Sequence, residues 1–214
     1  MQTEFKKAAG FSLIIGAVLM TLTMVLHPSG GSIEHILNIK NTIIVSHAIA
    51  ILSLPFLTFG FYGMSLTLMT KSRVSLLAFI SACFGLFAVM IAATINGLTL
   101  PLFLSNYPAN EVNITAISAI RHYGSSINIP MDYIFIVSIA LSMAVWSILI
   151  IKQSIYSKWI GYYGILLIAV FLVFVFSTFS FVSLHGFRFL IFGLVSWVIT
   201  IGVSMMVKAK ESNN

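Results

Sequence analysis

Residues 74–100 read VSLLAFISACFGLFAVMIAATINGLTL, without one charged side chain. As a helix rising 1.5 Å per residue this stretch would be roughly 40 Å long, whereas a hydrocarbon core of about 30 Å takes about 20 apolar residues to cross. It lacks the apolar–polar alternation of a strand and is far longer than a barrel strand, so it reads as a transmembrane helix. Working outward, five further stretches read the same way: 8–26, 42–69, 130–151, 159–181 and 187–207. The expectation is an all-α integral membrane protein of six transmembrane helices in one bundle, with residues 1–214 as a single polytopic domain. Lys6 and Lys7 resemble the start of a secretory leader. The apolar run after them is long for one, and His27-Pro28-Ser29 offers no A-x-A cleavage site, so the first helix is expected to be retained.

Composition agrees. Of 214 residues, 59% are hydrophobic and 7% charged, where soluble domains carry roughly a quarter charged residues. So few charges could not cover a water-facing surface; a lipid-facing one needs no such cover. The net charge of +6 is spread along the chain without a basic cluster that would follow phosphates, which excludes nucleic acid as a partner. Cys83 is the one cysteine, so an internal disulfide and a CxxC metal or redox motif are excluded.

The basic residues instead give an orientation, because cytoplasmic loops carry the excess of lysine and arginine. Lys6, Lys7, Lys71, Arg73, Lys152, Lys158, Lys208 and Lys210 fall on one side of the expected membrane, and only Lys40, Arg121 and Arg188 on the other. Eight against three puts both termini in the cytoplasm of a multi-pass protein of the cell membrane. The longer loops, 27–41 and 101–129, are then outside. Each is expected to carry a short surface helix: one over 32–37 capped by Ser32, and one displaying Val112, Ala116, Ile117, Ile120 and Tyr123 at helical spacing. Gly60-Phe61-Tyr62-Gly63 and Gly161-Tyr162-Tyr163-Gly164 mark close helix contacts. Their unequal positions, late in the second span and early in the fifth, argue against an inverted-repeat transporter.

All five histidines, His27, His35, His47, His122 and His185, fall on or near the expected outer side, with Glu34, Glu111, Asp132, Arg121 and Arg188. His47 lies about 9 Å into the second span if Asn41 caps it. Asp132 follows Pro130 in what reads as the first turn of the fourth span, where an acid suits the helix dipole. Arg188 opens the sixth span, to snorkel or to form a buried ion pair, and Asn96 would bond across helices near the end of the third. His47, His122 and His185 all sit at the outer ends of spans running outside to inside. They are therefore the expected ligands of a shared metal ion or haem, with His27 as a fourth member and Asp132 or Arg188 orienting the ligands. His35 reads as a solvated loop residue.

No HExxH, GxSxG, P-loop or glycine-rich dinucleotide turn supports an enzyme. The first expectation is therefore a non-catalytic membrane subunit or ligand sensor. Its partners would be the lipid bilayer and either a second copy of the chain or another membrane subunit. An outer-face histidine metal or haem site, for electron transfer or hydrolysis, comes second. A small oligomeric transporter comes third, since the middles of all six spans lack charge.

Overall fold

The computed structural model describes residues 3–107, 113–177 and 179–211, and over these every regular element is helical. In chain order they are α1 (Thr3–Leu26), α2 (Ile33–Asn38), α3 (Lys40–Met69), α4 (Val74–Ala92), a π-helical segment (Ala93–Thr99), α5 (Leu100–Asn106), α6 (Ile114–Gln153), α7 (Lys158–Phe176) and α8 (Leu184–Glu211). Six stretches are long and apolar enough to cross a membrane: Thr3–Leu26, Lys40–Met69, Val74–Asn106, Ile114–Gln153, Lys158–Phe176 and Leu184–Lys210. They match the six hydrophobic runs of the sequence one for one. Their outward faces are as apolar as their inward ones. Phe84 is 66% exposed and Phe176 85%, which a helix facing water does not sustain.

Short connections make antiparallel neighbours of successive long helices. Thus α1 contacts α3, α3 contacts α4, α4 contacts α6 and α6 contacts α7. The ring closes where α8 meets α7 on one side and α1 on the other. Between α6 and α7 the turn is made by Ser154 at φ 55°, in the left-handed region where glycine usually stands. Trp146 and Trp197 are fully buried, and each spends its indole N–H inside the bundle: Trp146 on Ser75 Oγ at 3.2 Å and Trp197 on Ile160 O at 3.2 Å. Further hydrogen bonds tie helix pairs together, Ser12 Oγ to Phe56 O at 2.8 Å and Ser142 Oγ to Ala78 O at 2.8 Å. Such bonds contribute in lipid, where apolar burial alone gives little drive.

The glycine motifs sit at contacts, as expected. A Cβ on Gly63 would overlap Ala9 of α1, and one on Gly161 would come 2.6 Å from Ser147 O of α6. The sequence did not flag a third approach, in which a Cβ on Gly10 would lie 2.6 Å from Gly202 O.

Two expectations about local structure are corrected. Ser32 does cap α2, its Oγ accepting from His35 N at 3.2 Å. The second expected surface helix, however, is no separate element. Its residues from Ile114 onward form the beginning of α6, which runs 40 residues through Pro130 without a break; Val112 lies outside the described residues. Burial accounts for the continuity. Ile117, 3% exposed, joins Ile36, Ile43 and Leu104 in a second apolar cluster beyond the main core. That packing outweighs the one hydrogen bond Pro130 forfeits.

Candidate functional site

At the end of the ring where α1 finishes and α3 begins, the helices part around a cavity of about 370 Å³. Its walls come from α1, α3, the π-helical segment, α6 and the first turn of α8, and the loop Ser29-Gly30-Gly31 crosses over it. An open cleft of about 490 Å³ adjoins it, sharing Asn96, Ser125, Asn128 and Val182.

His47 occupies one wall. Its Nδ1 lies 2.8 Å from Ile43 O, one turn back on α3. A carbonyl only accepts, so Nδ1 carries the hydrogen and Nε2 keeps its lone pair. The ring is seated against Gly97, where any Cβ would overlap it. The π-helical segment brings Gly97 there. Its register shows at Leu100, whose N–H reaches back five residues to Ile95 O. The next residue, Pro101, has no N–H and cannot extend the ladder in either register.

His27 faces His47, with ring centroids 4.7 Å apart and planes inclined at 54°. Its Nδ1 lies 2.9 Å from Pro28 O, which again leaves Nε2 as the free acceptor. Burial, chiefly, holds this imidazole below its ordinary pKa of 6.5; the Pro28 contact offsets part of that, and the charge of Arg188 adds to the lowering. Arg188 donates from Nε to Met24 O at 3.1 Å and from Nη2 to His27 O at 2.7 Å. It therefore caps the unsatisfied carbonyls at the C-terminus of α1, where a cation also complements the helix dipole. That is neither the snorkelling nor the carboxylate pairing expected of it.

Asp132 lines the cavity from α6 and is 7% exposed. It does not open a helix, as the sequence suggested, because α6 begins eighteen residues earlier at Ile114. Its carboxylate accepts from Asn128 Nδ2 at 2.5 Å, its only hydrogen-bond partner among the described residues. Asn96 reaches across to α6, donating from Nδ2 to Gly124 O at 3.5 Å. Arg121 also lines the cavity, with no hydrogen bond or ion pair among the described residues.

The structure thus brings His47 together with His27, not with His122 and His185. Those two are exposed and lie outside the cavity lining, as does exposed His35. Continuity of α6 explains the case of His122. Ten residues of helix hold it about 15 Å along the axis from Asp132, instead of at the depth of His47. Among the described residues no three His, Cys, Asp or Glu side chains gather as an ion would require; Glu111 lies outside them. Ser46, the hydroxyl beside His47, is not an activated nucleophile. Ser46 Oγ is 3.3 Å from His47 Nδ1, but its hydrogen is directed to Ile43 O at 3.0 Å, and Nδ1 is itself a donor. What the site offers is binding chemistry, in the form of unspent acceptors on an apolar wall.

The sequence reading missed the importance of Gly97 and Asn128 and ranked His27 fourth. A signal for Gly97 was present in Asn96-Gly97 four residues before Pro101, inside an otherwise apolar span. No family model matches the chain, and no curated protein or solved structure is significantly similar to it.

Proposed function

We propose that this chain is a six-span protein of the cell membrane, both termini cytoplasmic, whose outer-face cavity binds a small ligand. It would act as a ligand sensor or as the ligand-binding subunit of a membrane assembly, without catalysis of its own. The observation that carries this reading is the cavity of about 370 Å³, apolar over much of its wall and lined also by polar groups that keep part of their hydrogen-bonding capacity unspent. Binding pockets for small molecules have this composition and size. The orientation rests on the eight-to-three division of basic residues.

The bundle below the cavity favours a receptor over a transporter. There the helices converge on residues such as Leu57, Phe61, Leu86 and Phe135, leaving about 10 Å³ between them. A metal centre is not favoured, since only two histidines meet.

The test is a thermal-unfolding screen in detergent against small amphiphiles, run on the parent and on Ala50→Phe, which fills the cavity from α3. A ligand at 100 times its Kd adds about 2.7 kcal/mol to stability. Compounds are expected that stabilise the parent and not Ala50→Phe. A screen in which every compound acts equally on both proteins would refute the reading.

A further inference from the structure

We infer that the ligand of this cavity is a small amphipathic monoamine, held as its ammonium form by Asp132. This rests on the ligand-binding reading above and narrows it.

Hydrogen-bonding valence comes first. The imidazole donors are engaged with the protein, His27 Nδ1 on Pro28 O and His47 Nδ1 on Ile43 O, and so is one N–H of each nearby amide, Asn96 Nδ2 on Gly124 O and Asn128 Nδ2 on Asp132. The two imidazole nitrogens and the Asp132 carboxylate therefore present acceptors to a ligand, while each amide presents an oxygen and its second N–H. An ammonium brings three donors and no acceptor, which complements such a set. A ligand rich in acceptors would leave its own polar atoms and those of the floor unsatisfied.

Charge points the same way. Asp132 is 7% exposed and bonded only to a neutral amide among the described residues. A carboxylate so deep is costly unless it takes up a proton or meets a compensating charge, and among the described residues no cation pairs with it. Arg188 is committed to the carbonyls of Met24 and His27. Arg121 precedes Asp132 by eleven residues on one helix, about 16 Å along its axis. A ligand cation would supply the charge, and a ligand anion would add repulsion.

The rest of the ligand follows from the walls. Met24, Ile43, Val89, Ala92 and Phe187 line the cavity and suit a hydrocarbon body. Arg121, at the far end, would repel a second ammonium, which limits the ligand to one amine.

The experiment is titration calorimetry on the full-length protein in detergent at pH 7.5. Four probes share one body: 4-phenylbutylamine, its N-acetyl derivative, 4-phenylbutanol and 4-phenylbutanoate. The amine is expected to bind the parent and not Ala50→Phe, and its N-acetyl form to bind neither. Asp132→Asn, which keeps the shape, should weaken the amine about tenfold or more, the range for a hydrogen bond to a charged group. The N-acetyl arm needs no altered protein and decides the point should Asp132→Asn fail to fold. Equal binding of the amine and its N-acetyl form overturns the ammonium assignment. So does cavity-dependent binding of the alcohol or the carboxylate without the amine, although in that case the ligand-binding reading stands. If none of the four distinguishes the parent from Ala50→Phe, the amine assignment and the ligand-binding reading both fall.

Discussion

Replacing Gly97 by alanine tests how the site is built. The added Cβ would fall on His47 Cγ, Cδ2 and Cβ, the inner edge of the ring and its attachment. Those atoms belong to no flexible chain end, so His47 must turn away or α3 must move off the π-helical segment. Turning away breaks the 2.8 Å bond to Ile43 O, worth about 1 kcal/mol, and overpacking of a filled interior adds roughly 1–3 kcal/mol. Alanine's better helix propensity returns up to about 1 kcal/mol. Gly97→Ala should therefore lose about 1–3 kcal/mol in a reversible SDS-titration unfolding assay. Gly30→Ala, with nothing within 4 Å, is the control and should be nearly silent. His47→Gly removes all three obstructing atoms, so in the double variant the alanine at 97 should cost little. Gly97→Ala with the parent's stability, or additive losses in the double variant, would refute the proposed seating of His47.

Gly63→Ile and Gly164→Ile should each destabilise the bundle by about 3 kcal/mol or more, through contact with Ala9 and with Ser147 respectively. The same assay on Leu77→Ile, at a position 63% exposed, should show little change. Arg188→Ala strips two charge-assisted bonds from the end of α1 and should cost about 2–4 kcal/mol; lysine, lacking the planar fork, should restore only part. The depressed His27 pKa means that the unfolded chain binds a proton near pH 6.5 that the folded chain refuses. Its contribution is thus complete above about pH 6.5 and is lost as pH falls toward the lowered value, so acid unfolding of His27→Gln should be less steep than that of the parent. For topology, with Cys83 replaced, cysteines at Ser72 and Ile155 should label only from the cytoplasm and one at Ser32 only from outside; outside labelling at Ser72 would overturn the orientation.

The sequence carried the six long helices because lipid-scale length and missing charge are local properties that neighbours barely alter. It carried the contacts at Gly63 and Gly161 for a related reason: in a lipid-facing chain a glycine pair has few roles besides close approach. It failed at Pro130, where a local rule for helix starts was outweighed by the burial of Ile117 against Ile36, Ile43 and Leu104. No single-chain pattern registers a contact between residues so far apart. The candidate site failed for the same reason. Equal depth of His47, His122 and His185 had been assumed from span boundaries, and one displaced boundary removed His122. His27 and His47 were both noticed, yet their pairing depends on the azimuth of two helices and on a change of helical register at Ala93–Thr99.

Ring closure through α8 and α1 has a consequence for biogenesis. Of the six long helices, α1 leaves the ribosome before the other five and α8 after them, and the Arg188 bonds to Met24 and His27 join residues 164 and 161 positions apart. Until α8 has been made, α1 has α3 beside it but lacks the partner that closes over its other flank, and its last carbonyls lack their cap. Contacts so distant in sequence form late, because the intervening chain must be ordered first. The cavity, walled in part by Leu184 and Phe187, is thus complete only once α8 has begun, and a nascent chain halted before the sixth helix carries His27 and His47 without the site.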